Sequence, residues 1–307
     1  MDFLPQLIQQ LFNGLSLGSI YALIAIGYTM VYGIIGMINF AHGEIYMIGA
    51  YVGLVTLTAI GVNGFLPLPL LILFMIIVAA LVTGVYGYTI ERLAYRPARN
   101  SPRLVSLIAA IGMSIFLQNW VALGQGARDM AVPNILAGSF KWDLGIGYPV
   151  MLSYSRLLII AVVFVLMVAL TLYIKKSRMG RASRACSQDM HMANLLGIDT
   201  NRVVSFTFVL GAMLAAVGGV LIALSIGKLN PYIGFIAGIK AFTAAVLGGI
   251  GSVPGAILGG LLLGVVETLA AAYWSSEYKD IVAFSLLILI LLFRPTGLLG
   301  KPEVEKV

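Results

Sequence analysis

Long apolar segments separated by short polar segments run along the whole chain. We place spans at about 7–32, 39–60, 66–90, 104–123, 150–174 and 203–226, then an apolar block at 235–272 and a last span that ends at Phe293. As one helix the block would be about 57 Å long, against a hydrocarbon core of about 30 Å. It must therefore break, and GGIGSVPG at 248–255 is the expected place. The pattern predicts nine segments, or eight if glycine-rich ones are half-spans.

The apolar segments are continuous rather than alternating, which favours membrane helices over a β-barrel. Hydrophobic residues make up 60% of the chain and charged residues 10%, with a mean hydropathy of +1.01. Soluble domains carry about a quarter charged residues. We therefore predict an all-α, polytopic integral membrane protein. Residues 1–307 would form a single transmembrane domain of about eight to nine segments, some broken or half-spanning.

Basic residues are concentrated in three short polar stretches. Thirteen of the 19 lysines and arginines lie there: Arg92, Arg96, Arg99 and Arg103; Lys175, Lys176, Arg178, Arg181, Arg184 and Arg202; and Arg294, Lys301 and Lys306. Short loops rich in lysine and arginine normally face the cytoplasm. We therefore expect a cytoplasmic C-terminus, an external N-terminus if all nine segments cross, and an external loop at about 124–149. No basic soluble domain is evident, so a nucleic-acid partner is excluded.

Polar residues inside the second apolar segment are the first candidate site. INFAHGEIYMIGAY, residues 38–51, contains Asn39, His42, Gly43 and Glu44. Ionisable groups within a span cost about 2.5–3.5 kcal/mol at its centre and normally face a cavity or a partner. We expect this segment to line a solute path or to brace a helix break beside it. A capping role is the alternative, with Asn39 as N-cap and Glu44 near the positive helix start.

The glycine-rich block contains two further ionisable residues, Lys240 and Glu267. They either form a buried pair, or Lys240 extends to the external interface; the sequence favours the second arrangement. In the same block, the spacing of Gly255, Gly259, Gly260 and Gly264 predicts close helix packing, within the chain in preference to a subunit contact.

The second basic loop, at about 175–203, contains a candidate amphipathic helix. In GRASRACSQDMHMANLLGIDTNR, Cys186, Met190 and Ala193 recur at helical spacing, and Met192, Leu195 and Leu196 widen the apolar face. Gly197 would end this helix, and Asp199 or Thr200 would cap the next. With little bulky apolar area and no aromatic residue, the helix suits a groove on another protein better than a lipid surface.

The sequence contains no convincing catalytic or cofactor-binding motif. GLSLG at 14–18 matches a nucleophile motif but lies in a continuous apolar segment. GFIAGIK lacks the phosphate-loop pattern, and no motif suggests a metal. We therefore expect no cofactor, no metal and no catalysis by this chain.

Three stretches carry a resemblance over essentially the whole length. NFAHGEIYMIGAY, GRASRACSQDMHMANLLGI and GIKAFTAAVLGGIGSVPGAILGGLLLGVVE resemble the LivH/LivM family, the permease subunits of bacterial high-affinity branched-chain amino acid ABC importers. The resemblance implies that residues 180–197 form the loop that contacts the ATPases, with candidate residues Arg184, Ala185, Asp189, Ala193, Leu196 and Gly197.

The resemblance also implies the partners. These are a second, LivM-like permease, two cytoplasmic LivG- and LivF-like ATPases, a periplasmic substrate-binding protein, the substrates leucine, isoleucine and valine, and the lipid of the bacterial inner membrane. The predicted function is a non-catalytic permease subunit that forms half of the translocation pathway and couples to the ATPases. The alternative is an ion-coupled secondary transporter that uses His42, Glu44 or Glu267 as a proton relay.

Overall fold

A computed structural model describes residues 3–61, 64, 66–99, 101–142 and 149–300. The helices are α1 Phe3–Ile35, α2 His42–Thr56, α3 Leu68–Ile90, α4 Arg96–Ala98, α5 Arg103–Gln125, α6 Tyr154–Lys176, α7 Arg178–Gln188, α8 Met190–Leu195, α9 Thr200–Ile226, α10 Ile233–Gly248, α11 Val253–Tyr273 and α12 Lys279–Phe293. The π-helical turns Leu57–Gly61 and Glu91–Tyr95 extend α2 and α3. The prediction of a helical, polytopic membrane protein is confirmed.

Each of the nine predicted segments contains a helix, but they differ in length. Over the described ranges, seven are long and apolar enough to span a membrane: α1, α2 and α3 with their extensions, α5, α6, α9 and α11. The other two, α10 and α12, have 16 and 15 residues, about 24 and 23 Å at 1.5 Å per residue. They fall short of a full crossing because a glycine-rich turn ends α10 at Gly248, and because polar residues bound α12, with Lys279 at its first position and Arg294 after its last.

The predicted break in the long apolar block lies where the glycines are. α10 ends at Gly248, Gly249 and Gly251 have φ of +104° and +90°, and α11 begins at Val253. The hydroxyl of Ser252 caps α11 by accepting a hydrogen bond from the Gly255 N–H at 3.2 Å. Left-handed backbone of this kind suits glycine, which has no Cβ to clash.

Within the described residues, four short strands are the exception to the all-α prediction. β1 (Met130–Ala131) pairs with β4 (Lys228–Leu229), and β2 (Ser139–Trp142) pairs with β3 (Val150–Ser153), both antiparallel. The strands satisfy backbone groups in the connections beside α5, α6 and α9. As a result α6 starts at Tyr154, four residues later than the predicted span.

The bundle is organised around α1, α9 and α11. α1 is buried along most of its length and packs against α9 and α11, while α2 and α3 pack on α9. α3, α5 and α6 expose most of their apolar surface. Because an exposed apolar surface in a spanning helix meets lipid or another membrane helix, these three form the outer faces of the fold.

The four predicted packing glycines all lie at contacts within the chain. A methyl group on Gly255 or Gly259 would clash with backbone of α10, and one on Gly260 or Gly264 would clash with backbone of α1. One side of α11 therefore approaches α10 and another approaches α1. The four residues serve internal packing, the arrangement that the spacing favoured.

Replacement of Gly264 by alanine tests this packing. The new methyl group would overlap the backbone of Gly18. We therefore expect the free energy of unfolding to fall by about 1–3 kcal/mol, measured as a lower midpoint of thermal unfolding in detergent. Gly112→Ala in α5 is the matched control, because nothing lies within 4 Å of that position. Equal midpoints for the two variants would contradict this account of the α1–α11 contact.

Candidate functional site

α2 begins inside the bundle rather than at its surface. Residues 36–41 are not helical, and α2 starts at His42, three residues later than the predicted span. The His42 ring lies beside Gly27 and Gly211. Gly27 is eight residues before the end of α1 and Gly211 eleven after the start of α9, or roughly 12 and 16 Å along these helices. The start of α2, with the buried Asn39 and Ala41 just before it, is therefore enclosed by the membrane-spanning helices, whereas Gly36 is exposed.

Asn39 does not cap α2, contrary to the capping alternative. The N-cap is Ala41, with no side-chain cap. The Asn39 Oδ1 instead accepts a hydrogen bond from the buried Tyr95 hydroxyl at 2.8 Å. Asn39 therefore ties the α1–α2 connection to the π-helical turn after α3, which is a bracing contact that local sequence cannot reveal.

His42 and Glu44 are both 1% exposed. One Glu44 oxygen, Oε1, accepts a hydrogen bond from the Ser114 hydroxyl of α5 at 3.1 Å. The other oxygen, Oε2, and the His42 Nε2 have no hydrogen-bond partner among the described residues. Buried polar atoms without partners are costly, so these two atoms are free to accept a hydrogen bond from, or donate one to, a bound solute or water.

A groove of about 400 Å³ lies beside this start of α2. Four aromatic residues line it, together with one face of α5 and part of α10: Tyr28, Phe40, Phe235 and Phe242; Ile111, Ser114, Ile115 and Gln118; and Gly238 and Ile239. Its volume falls in the range of small-molecule sites, about 300–1,000 Å³. Ser114 connects the two features, because its side chain lines the groove and donates to Glu44.

Lys240 lies in a buried ion-pair network. Its Nζ is 2.6 Å from the Glu267 Oε1 and 2.6 Å from the Asp280 Oδ1, and the Tyr21 hydroxyl donates to the other Glu267 oxygen at 2.9 Å. The side chains of Lys240 and Glu267 are 5% and 3% exposed. The favoured expectation, that Lys240 extends to an interface, is wrong, because its side chain is buried and pairs with the buried Glu267 of α11. Its second partner, Asp280 of α12, is 45% exposed.

The second basic loop forms two short helices where one was predicted. α7 ends at Gln188, and the Asp189 carboxylate starts α8 by accepting a hydrogen bond from the Met192 N–H at 2.9 Å. Gly197, at φ +83°, follows the end of α8 as predicted. Asp199 caps α9 through the Arg202 N–H at 3.1 Å, which settles the alternative between Asp199 and Thr200.

The predicted apolar face of this loop is divided between two environments. Cys186 and Ala193 pack with Val203 of α9 in a small buried cluster, to which Ala185 also contributes, and burial raises the pKa of the Cys186 thiol. The Arg184 guanidinium donates to the Ile174 carbonyl and holds α7 against α6. Met192, Leu195 and Leu196, at 52%, 69% and 76% exposed, remain on the surface. We call these three side chains the α8 patch.

The sequence analysis missed one buried centre, Glu91. Its carboxylate is 0% exposed and lies 3.1 Å from Arg96 and 2.8 Å from Arg99, and it also accepts a hydrogen bond from the Ser205 hydroxyl at 2.8 Å. These contacts join the end of α3 to the start of α9. The sequence offered one signal for this centre: Glu91 directly precedes the basic stretch that contains Arg92, Arg96, Arg99 and Arg103. In the described part of the chain, no cluster of His, Cys, Asp or Glu could hold a metal ion.

Comparison with known proteins places the chain in a family. The sequence model of the family described as branched-chain amino acid transport system, permease component, matches residues 10–291. The chain is 58% identical over 300 residues to the high-affinity branched-chain amino acid transport system permease protein BraD of Pseudomonas aeruginosa, covering 98% of each chain. It is also 58% identical to LivH of Escherichia coli K12, covering 98% of this chain and 97% of that one.

A second permease type is more distantly similar. LivM of E. coli K12 is 26% identical over 313 residues, covering 94% of this chain and 70% of LivM. No solved structure matches the chain. Since the family model covers most of the chain and two relatives share 58% identity over nearly its full length, the chain belongs to the family of permease components of branched-chain amino acid transport systems.

Proposed function

We propose that this chain is a permease subunit of an ATP-driven importer of leucine, isoleucine and valine in the bacterial inner membrane. The observation that carries the proposal is the 58% identity over 98% of the chain to permease proteins of that transport system. ATP hydrolysis belongs to two partner ATPases, and a periplasmic protein delivers the amino acid. The arginine-rich connections and the C-terminus face the cytoplasm.

The groove beside α2 forms half of the translocation pathway. Its aromatic and aliphatic lining suits the apolar side chain of a branched amino acid, while Ser114, which is hydrogen-bonded to Glu44, and Gln118 offer partners for the charged backbone groups. Ile115 and Phe235 are 54% and 53% exposed, so the groove is open along one side. The second permease, similar to LivM, closes it and completes the pathway.

The α8 patch is the contact with an ATPase. Met192, Leu195 and Leu196 form an exposed apolar surface on a short helix, the kind of element that seats in a groove of another protein. α8 is joined to α9 by the buried contact of Ala193 with Val203, and α9 packs against α2. Movement of the ATPases is thereby transmitted to the start of α2, beside the pathway. The pathway then opens alternately to each side of the membrane.

The proposed function is tested by reconstituting the chain in proteoliposomes with a LivM-like permease, both ATPases and the binding protein. We expect leucine uptake that requires ATP and is unaffected by a proton uncoupler. Uptake by this chain alone, driven by a proton gradient, would contradict the proposal and favour a proton relay through His42, Glu44 or Glu267.

A tryptophan at position 115 tests the pathway. Ile115 lines the groove from an exposed position, so the larger ring narrows the groove without disturbing the core, and we expect uptake to fall at least about tenfold with normal assembly. Ile108→Trp is the control, because Ile108 lies on the same helix, is 61% exposed and lies outside the groove. Equal uptake by both variants would show that the groove is not the route.

Two aspartates in the α8 patch test coupling. Leu195→Asp/Leu196→Asp places charges where apolar surface would be buried. Because burial of each leucine contributes about 1.5–3 kcal/mol, we expect at least about tenfold weaker co-purification of the ATPases and loss of leucine-stimulated ATP hydrolysis. The control, Gln125→Asp/Ala127→Asp, adds the same charge at exposed positions at the end of α5 and just after it, outside the second basic loop. Retention of the ATPases by the leucine variant would refute this docking assignment.

A further inference from the structure

A second cavity, of about 600 Å³, lies at the end of the bundle that carries the arginines, away from the groove. α3, α4, α7 and α9 line this open cavity, and its walls include Tyr88, Arg96, Met179, Asp199, Arg202, Phe206 and Val209. α3 and α9 run antiparallel here, since Gly87 of α3 meets Phe208 and Ala212 of α9. The last turns of α3 therefore lie beside the first turns of α9.

One face of α3 changes character along its length. Leu81, Val85, Tyr88 and Arg92 recur at spacings of three and four residues and so share a face. Leu81, Val85 and Tyr88 are 58%, 66% and 40% exposed. The Arg92 guanidinium donates to the Tyr88 hydroxyl at 2.6 Å and lies 5.9 Å from the centre of its ring. The face is thus apolar, then aromatic, then cationic.

The facing wall of α9 repeats this order. Val209, Phe206 and Arg202 share one face of α9, again at spacings of three and four residues, and Phe206 and Val209 are half-buried. The Phe206 ring lies 6.1 Å from that of Tyr173 on α6. Two neighbouring helices therefore both change from apolar residues to arginine at the same end of the membrane span.

The charge around the cavity is positive after the internal pairs are counted. Arg96 and Arg99 bind Glu91, and Arg202 lies 3.0 Å from Asp199. Arg92 lies beside the cavity, because it donates a hydrogen bond to the lining residue Tyr88. The four arginines therefore exceed the two carboxylates by two charges. The Arg202 side chain is 84% exposed, so it can reach an anion in the cavity.

We propose that this cavity binds an anionic phospholipid. The phosphodiester lies between Arg92 and Arg202, one acyl chain follows Leu81 and Val85, and the other follows Phe206 and Val209. Basic pockets between membrane helices at the cytoplasmic interface are suited to such headgroups. A soluble phosphate would contact the arginines but would leave both apolar stripes unused, which is why the lipid is the occupant that the surface fits. The site is independent of the proposed transport function.

Native mass spectrometry of the purified full chain tests the site. The chain would be exchanged into phosphatidylglycerol, into phosphatidylcholine, and into detergent with inorganic phosphate. We expect preferential retention of phosphatidylglycerol, and an affinity that is roughly 10- to 30-fold lower in Arg92→Gln/Arg202→Gln, since each basic residue near an anionic lipid contributes appreciably to binding. Arg96 is left intact because it also holds Glu91 and Ser205.

Two control variants separate the site from general surface charge and from misfolding. Lys175→Gln/Lys176→Gln removes two exposed charges nearby and should retain the lipid, and Arg92→Lys/Arg202→Lys should keep most of the affinity. Equal retention of both lipids, wild-type binding by the arginine-to-glutamine variant, or equal loss in the lysine-to-glutamine control would each overturn the proposal. Retention of inorganic phosphate equal to that of phosphatidylglycerol would also overturn the proposal, because it would assign the site to a soluble anion.

Discussion

Close approach of helix backbones at glycines is the contact on which the rest of this fold depends. Within a membrane, helices gain little from burying apolar surface against one another, so van der Waals contact must hold them together. Gly18 and Gly264 bring α1 against α11, while Gly43, Gly234 and Gly238 bring α2 against α10. These contacts enclose the start of α2 and the buried Asn39 and Ala41 before it, where non-helical backbone groups could not face lipid. A polar helix start can therefore exist inside this bundle.

α9 links the two ends of the molecule. Its first turn is capped by Asp199, and its Ser205 is bound to the buried Glu91. Further along, the backbone of α9 meets α2 at Gly219, which lies against Tyr46 and Ala50. α9 is buried over much of its length, and it contacts α7 and α8 as well as α2. In the coupling that we propose, α9 is the element that connects the two short helices with the interior site around His42.

Local chemistry made some features predictable from the sequence. The break after Gly248, the helix end before Gly197 and the cap at Asp199 each depend on residues within a few positions of one another, and all three agree with the structure. Hydropathy also located every membrane segment. It did not give the short length of α10, because the apolar composition continues past Gly248 into the break.

Features that depend on distant neighbours were not predictable. Asn39 binds Tyr95 instead of capping α2, and Lys240 meets carboxylates 27 and 40 positions away in the chain. Helical periodicity identified an apolar face in the second basic loop, but it could not show that α9 covers Cys186 and Ala193 while leaving Leu195 and Leu196 exposed. Periodicity reports which residues share a face, and only the packed structure shows what covers it.

The burial of Cys186 has a practical consequence for measuring movement in this protein. It is the only cysteine in the chain, it is 2% exposed, and burial disfavours the thiolate that reacts with alkylating reagents. A fluorophore or spin label directed at thiols would therefore attach first to a cysteine engineered at an accessible position. Distances between labels on two helices could then be followed through the transport cycle while the native thiol stays in place.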